Sequence, residues 1–399
     1  MESIRNHPVI LPVYLPSAIF AFSQSMLIPV VPLYALGFDI SYGIVGIVLA
    51  CTGLGMLVCD VPAGLCIRRF GIKRTMVTGV CAVIFFTIAL YWAKSIPEVI
   101  AYRILTGFGM ALYSVSRHTY MAESVMLERR GKAIALFGGI NRIGRFAGPA
   151  AGGIVAAAYG LRMPFLLVGA IEIIALGVIL LFVQARSDAE TDSLLRDPSA
   201  MPAFLSTLKS QYRILAAAGS GQLFAQMIRA GRGVIIPLYA AESIGLGLKE
   251  IGVIISLAAA IDMLLFYPTG LIMDRYGRKF SIVPSFLLQA VGMFLLPFAG
   301  SFAGLTIAAV LMGFGNGLGS GVMMTLGADL APDGSRGEFL GIWRLIGDCG
   351  FTGAPLLVGG IADLIGLSMS AWALSGSGLI AASVFLFLVP ETLRKGERG

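Results

Sequence analysis

The chain has 399 residues, of which 57% are hydrophobic and only 13% are charged, and its formal net charge is +7. Soluble domains carry about 25% charged residues, so this composition excludes an ordinary soluble protein. Long unbroken apolar stretches also exclude a transmembrane β-barrel, whose strands alternate over about 10 residues. The composition therefore predicts a helical membrane protein, in which the surplus of base reflects topology and does not indicate nucleic acid.

Twelve apolar segments are each long enough to cross a membrane as a helix. In chain order they are residues 9–35, 43–67, 75–94, 97–121, 132–158, 163–184, 213–241, 249–272, 280–300, 303–327, 338–362 and 369–389. Of the 29 Lys and Arg residues, 19 fall on one side of these segments and only Lys94, Arg162 and Lys249 on the other. Because positive residues stay in the cytoplasm, we expect a multi-pass protein of the cell (inner) membrane with both termini cytoplasmic.

The two halves of the chain repeat each other. The turn at residues 64–74 (GLCIRRFGIKR) returns 206 residues later at 270–279 (GLIMDRYGRK), and Pro149 returns as Pro355. The sequence predicts an all-α membrane protein with twelve transmembrane helices in two pseudo-symmetric six-helix bundles. The predicted domains are an N-terminal bundle at 1–184, a cytoplasmic linker at 185–212 and a C-terminal bundle at 213–399.

Three motifs resemble those of the major facilitator superfamily. Residues 270–279 are similar to its loop signature G-x-L-A-D-R-x-G-R-K, although the first copy has Arg68 in place of the aspartate. The string R-x-x-x-G-x-G from Arg103 is similar to the family's helix-4 arginine motif. The string G-x-x-x-G-P-x-x-G-G from Gly144 looks like the antiporter motif of the proton-coupled drug and metabolite exporters.

This resemblance implies a secondary active transporter that works by alternating access in the major facilitator fold. It favours proton-coupled export of a small organic metabolite or drug. Uptake or exchange of an organic anion, or a sensor built on a transporter fold, remain alternatives. We find no metal-ligand cluster, phosphate-binding loop or nucleophile with its base, so we expect no enzyme activity, metal or cofactor. The expected partners are a small-molecule substrate, protons and membrane lipid, without nucleic acid, and the expected state is a monomer.

Seven arginines and four acids lie inside the predicted helices, where a charge is costly unless it is paired or hydrated. Those predicted to serve proton coupling are Asp60, Asp262, Asp348, Arg142, Arg145 and Arg344. Depths along the helices, at about 1.5 Å per residue, predict that Asp262 pairs with Arg142 or Arg145 and Asp60 with Arg344. An acid beside a movable arginine is ionised while paired and takes up a proton when the arginine leaves, so such pairs are predicted proton switches. A static clamp between the bundles is the alternative.

In the resembled fold, segments 1, 4, 7 and 10 line a central cavity. The polar residues on them that we expect to bind substrate are Gln24, Tyr34, Arg117, Gln226, Arg229, Arg232 and Asn316. The excess of three positive charges within the helices favours an anionic or zwitterionic substrate. Alternatively, Arg117 lies near the cytoplasmic end and meets lipid phosphates or water. Glu172 in segment 6 is predicted to be a satisfied or interface-facing acid and not a ligand.

Two features are predicted to serve gating. Gly144, Gly148 and Gly152 share one helix face and Pro149 bends the helix, which suits a surface that slides against the other bundle, although ordinary tight packing is the alternative. On the cytoplasmic side, two positions change sign between the halves. We expect them to form latches in which Arg68 meets Glu338 and Asp274 meets Lys132.

Overall fold

In the computed structural model of the protein, every regular element of the described residues is helical. The structure describes residues 10–124, 130–184, 206–207, 209–332 and 335–393, and it describes side chains in the fifth helix from Leu136 onward. Most of the linker predicted at 185–212 and the side chain of Lys132 lie outside these residues.

Among the described residues, twelve long helical spans follow one another, and each overlaps one predicted segment. They are α1 (Ile10–Leu36), α2 (Tyr42–Phe70), α3 (Ile72–Ala89), α4 (Ile96–Ser124), α5 (Arg130–Tyr159), α6 (Met163–Phe182), α7 (Tyr212–Tyr239), α8 (Leu248–Tyr276), α9 (Arg278–Leu295), α10 (Phe302–Leu330), α11 (Arg336–Ile365) and α12 (Leu367–Phe387). Ten of them are long and apolar enough to cross a membrane by length and composition. The other two, α5 and α7, have 30 and 28 residues and each carry two of the arginines discussed above.

Two of the spans are interrupted. In α1 a π-helical turn (Ile10–Tyr14) precedes the helices Leu15–Met26 and Val30–Leu36, and Pro29 lies at the break because it has no N–H to continue the ladder. In α10 the helix Phe302–Leu318 stops before a second helix, Val322–Leu330, begins. Gly321 occupies this break with a φ of +76°, which a residue with a side chain rarely adopts. The sequence segments did not predict either interruption.

The contacts of the chain define two compact units. The first comprises Met1–Arg196 and Gly247–Ser256, and the second comprises Asp197–Leu246 and Leu257–Gly399. The first nine residues of α8 therefore pack with the first unit. Large apolar side chains remain on the surface, among them Leu181, Leu364 and Phe387 at 78%, 83% and 77% exposure. Such a surface fits lipid and not water.

The sequence repeat is also a repeat of contacts. A Cβ on Gly107 of α4 would strike the carbonyl oxygen of Thr52 on α2, and a Cβ on Gly313 of α10 would strike the carbonyl oxygen of Ala258 on α8. Each glycine thus allows two helix backbones to touch, as small residues do in membrane proteins. The pairs are related by the offset of 206 residues.

The two basic turns follow the same rule. Lys73 Nζ donates to the carbonyl oxygen of Leu180 at 2.9 Å, and Lys279 Nζ donates to that of Leu386 at 2.8 Å. Both acceptors lie in the last turn of a helix, where carbonyl groups lack intrahelical partners and a positive charge is favoured. One lysine in each turn therefore caps the last helix of its own half.

The turn between α8 and α9 also contacts the segment that follows α12. Gly277 adopts a φ of +110°, and the N–H groups that start α9 need acceptors. The carboxylate of Glu391 accepts from the backbone N–H of Arg278 at 2.9 Å and of Lys279 at 3.0 Å. Burial raises the pKa of Glu391, but these bonds and two from the backbone that follows it prevail and hold the pKa below its ordinary value.

Arg278 joins three helices of the second unit around this turn. Its Nε lies 3.0 Å from Asp329 Oδ2 on α10, and its NH1 donates to the carbonyl oxygen of Met273 on α8 at 3.0 Å. Asp274 Oδ1 lies 3.5 Å from the same guanidinium group and is 54% exposed at its side chain. The signature at 270–279 therefore holds α8, α9, α10 and the chain end together.

Candidate functional site

A polar cluster surrounds Asp262 in the second unit, beside the break in α10. Asn316 Nδ2 donates to Asp262 Oδ2 at 2.8 Å, and Ser320 Oγ donates to Asp262 Oδ1 at 3.2 Å. Close packing brings these groups together, because a Cβ on Gly317 would lie 3.2 Å from Asp262 Cα. The whole residue is only 8% exposed, so Asp262 is a nearly buried carboxyl held by two neutral donors.

Arg232 of α7 supplies a positive charge to this carboxyl. Its NH2 lies 4.0 Å from Asp262 Oδ2, and the two side chains are 23% and 12% exposed. That distance allows a strong electrostatic attraction in a low-dielectric site but is too long for a hydrogen bond. The pair is therefore an electrostatic contact without a hydrogen bond between these two atoms.

One turn away on α7, Arg229 contacts the break itself. Its NH2 donates to the carbonyl oxygen of Gly319 at 2.9 Å, and its guanidinium carbon lies 5.1 Å from the centre of the Phe286 ring. Gly319 is one of the backbone groups released where α10 stops. Backbone outside a helix is tolerated at membrane depth only where protein or a cavity satisfies it, and here an arginine does so.

A second buried carboxyl lies in the first unit. Glu172 of α6 is completely buried, and its Oε1 accepts from Gln24 Nε2 at 2.7 Å and from Ser23 Oγ at 3.0 Å. Its Oε2 has no hydrogen-bond partner among the described residues. Both donors come from the helix Leu15–Met26, directly before the break in α1. The prediction of a satisfied acid therefore holds for one oxygen only.

Arg117 lies against aromatic rings in the first unit. Its guanidinium carbon is 4.7 Å from the centre of the Phe137 ring and 5.1 Å from that of Tyr113. NH2 also approaches His118 Nε2 at 3.3 Å. Cation–π contacts of this kind stabilise a fold directly, so they give Arg117 a packing role besides the predicted substrate contact.

Tyr34 and Gln226 do not join either cluster. The Tyr34 hydroxyl donates to the carbonyl oxygen of Leu90 at 2.7 Å, and the Tyr239 hydroxyl makes the matching bond to Pro297 in the second half at 2.9 Å. A repeated, buried bond of this kind stabilises the fold, and the substrate contact of Tyr34 stays a prediction. Gln226 is half-buried beside Gly347 of α11.

The face of α5 that was predicted to slide is a packing face within its own unit. A Cβ would lie 2.6 Å from Phe22 N at Gly144 and 2.6 Å from Phe22 O at Gly148, while at Gly152 it would strike the carbonyl oxygen of Met26. These contacts favour the alternative of tight packing on α1. The gating role of Gly144 and Gly148 stays a prediction.

The neighbouring face of α5 meets the first residues of α8. The N–H of Ala150, next to Pro149, donates to Ser256 Oγ at 2.9 Å. A Cβ on Gly153 would lie 3.1 Å from Gly252 Cα. The gating role of Pro149 stays a prediction.

The remaining predicted charges have these local settings. Arg344 Nε lies 3.4 Å from Asp348 Oδ2, so these two residues of α11 share a pair one turn apart. Asp60, Arg142 and Glu338 are half-buried, whereas Arg68 and Arg145 are exposed. The pairs predicted between the two halves, including both latches, stay predictions.

Sequence reasoning missed the contributions of Ser320 and Gly319 to the Asp262 cluster. The signal was present in the run GLGSG at 317–321, whose three glycines disfavour a continuous helix. The bond of Ser23 to Glu172 was not predictable, because nothing in their spacing shows that α1 and α6 bring them together.

Comparison with known proteins supports the fold and the class. The family model of the Major Facilitator Superfamily matches residues 13–228 and 218–399. Multidrug resistance protein 2 of Bacillus subtilis is 26% identical over 286 residues, which is 70% of each chain. The synaptic vesicular amine transporter of Bos taurus is 26% identical over 84% of this chain and 64% of its own.

Solved transporters share the fold. A D-xylose–proton symporter superposes with a TM-score of 0.75 at 18% identity and covers 95% of this chain and 97% of its own. A POT family transporter in complex with 5-aminolevulinic acid gives a TM-score of 0.76 at 13% identity, with 94% and 95% covered. The chain is an integral, multi-pass membrane protein and a secondary transporter, and it belongs to the Major Facilitator Superfamily.

Proposed function

We propose that this transporter couples the export of a small organic molecule to the entry of protons by alternating access. The observation that carries the proposal is the buried carboxyl of Asp262, with Arg232 at 4.0 Å and neutral donors on Asn316 and Ser320. An ionisable group at membrane depth that is held loosely by a movable base is suited to bind and release a proton.

The break in α10 supports a substrate site beside this carboxyl. Substrate and coupling-ion sites in transporters are commonly built where helices are discontinuous near the midplane. Arg229 and Arg232 give the cluster two positive charges against the one carboxylate of Asp262. We therefore assign the site an anionic, zwitterionic or amphiphilic substrate. We also propose that the protein is a monomer in the cell (inner) membrane, with both termini in the cytoplasm.

The helix-5 motif favours export, and one of the relatives at 26% identity is a multidrug resistance protein.

Everted membrane vesicles test direction and coupling together. With an acid interior, they should accumulate the substrate, and a protonophore should abolish the accumulation. A panel of an aromatic carboxylate, 5-aminolevulinic acid and an aromatic amine samples the three charge classes. Accumulation only under the reversed gradient would indicate uptake, and accumulation that is insensitive to the protonophore would contradict proton coupling.

A further inference from the structure

We infer that Glu172 is a second proton-binding site, which is occupied in the state described here and empties when water reaches it at α1. The inference deepens the proposed proton coupling and rests on it. Nothing in the proposed site around Asp262 uses Glu172.

The setting of Glu172 fits a neutral carboxylic acid. The residue is completely buried, and its partners are the neutral groups of Ser23 and Gln24, both on Oε1. A buried carboxylate is stable when it is paired with a positive charge, and it is costly without one, above all in a membrane. In the neutral acid, Oε1 is the carbonyl oxygen that accepts both bonds and Oε2 carries the proton. This form avoids the cost of a buried charge.

No base offsets this carboxyl in the described part of the chain. The elements that pack against α6 are α1, α3 and α5. Their titratable side chains are Tyr14, Tyr34, Lys73, Arg74, Cys81, Arg142, Arg145 and Tyr159. Within the described residues, none of these makes a hydrogen bond or ion pair with Glu172.

The repeat shows that the fold does not need an acid at this position. The residue 206 positions beyond Glu172 is Gly378 of α12. A Cβ there would lie 2.6 Å from Ile228 Cδ1, 3.0 Å from Ala290 Cβ and 3.2 Å from the carbonyl oxygen of Phe286, so two apolar side chains and one backbone carbonyl fill the matching site of the second half. Only the first half carries a carboxyl at this position, and the second half packs without one. We therefore infer that Glu172 has a role other than holding the bundle together.

The break in α1 offers a route for release. Ser23 and Gln24 stand in the last turn before the helix stops at Met26, and Pro29 prevents the backbone from continuing regularly. If this turn moves away from α6, water enters, the carboxyl gives its proton to water and the carboxylate is solvated. Gln24, which we predict to face substrate, would link that movement to substrate binding.

Infrared spectroscopy of the purified protein in lipid tests occupancy without any transport assay. At neutral pH we expect a carbonyl-stretch band of a protonated carboxylic acid that Glu172→Gln removes and that Gln24→Ala shifts. The matched control Glu98→Gln, at an exposed helix start, should retain the band. A spectrum in which Glu172→Gln loses no such band, while the protein is folded, would overturn the inference.

Transport assays distinguish a failure of this inference from a failure of the proposed function. In everted vesicles, Glu172→Gln should exchange substrate across the membrane but should not accumulate it against a gradient. Normal accumulation by Glu172→Gln would contradict a coupling role for this carboxyl. If the unsubstituted protein shows no proton-driven accumulation, the proposed coupling fails, and the infrared band still decides whether Glu172 holds a proton.

Discussion

Asp262 and Glu172 are held by the same two kinds of group, a serine hydroxyl and a side-chain amide, yet they differ in charge environment. In the part of the chain that the structure describes, Asp262 has a guanidinium group at 4.0 Å and Glu172 has no base as a partner. Each carboxyl lies beside an interrupted helix. One half thus holds its buried acid beside a guanidinium group, and the other half holds its buried acid with neutral donors.

The glycine contacts that repeat in the two halves predict a large effect of a single methyl group. Gly313→Ala places a Cβ against the backbone of Ala258, so we expect a loss of about 1–3 kcal/mol in unfolding free energy from overpacking. Thermal unfolding in detergent measures it. Gly270→Ala is the matched control, because a Cβ there meets nothing within 4 Å. Equal stability of the two variants would contradict the close contact of α8 and α10.

The cap formed by Glu391 predicts a pH-dependent stability. Its pKa is below the ordinary value in the folded protein, so its contribution is present above about pH 4.3 and is lost as the pH falls through the folded pKa. At pH 7, Glu391→Gln should lower stability by about 0.5–1 kcal/mol, at the low end for a cap because the group is exposed. Unfolding at pH 7 and below pH 4 tests this, since the difference between the variants should shrink in acid. A difference that grows in acid would have the wrong sign.

Substitutions of Arg117 distinguish a packing role from a role in substrate binding. Its contacts with Phe137 and Tyr113 predict that Arg117→Ala lowers stability by about 1–2 kcal/mol, whereas Arg117→Lys keeps the charge and loses the planar stacking. We expect both variants to be less stable, which thermal unfolding in detergent measures. Normal stability of Arg117→Ala would contradict the packing role, whereas weaker substrate binding by the folded variants would support the predicted substrate contact.

Much of the architecture follows from sequence because hydropathy reports the number and the bounds of the spans. The twelve segments, the two-fold repeat and the turn at 270–279 were all predictable. The interruptions in α1 and α10 were not, because average hydropathy is insensitive to where a ladder of hydrogen bonds stops. The run GLGSG at 317–321 carried that information and was not weighed.

The site was only partly predictable, since spacing gives depth along a helix but not the neighbour that a face meets. Asn316 and Arg232 were chosen from their helices and do converge on Asp262. The contact of the α5 glycines with α1 was not predictable, because three glycines four residues apart describe a groove without identifying the helix that fills it. The bond of Tyr34 to the carbonyl oxygen of Leu90 was not predictable either, because sequence does not show which backbone acceptor a buried hydroxyl meets.

Asp262→Asn tests proton coupling most directly. The substitution preserves the size of the side chain and removes its charge and its titration. The control Asp39→Asn changes a carboxyl in the loop before α2, where a φ of +56° is one that asparagine also tolerates. In proteoliposomes, Asp262→Asn should retain exchange of substrate down its gradient and lose uphill accumulation under an imposed pH gradient, while the Asp39→Asn control retains both. Uphill accumulation by Asp262→Asn at the rate of the unsubstituted protein would contradict the assignment of Asp262 as the proton switch.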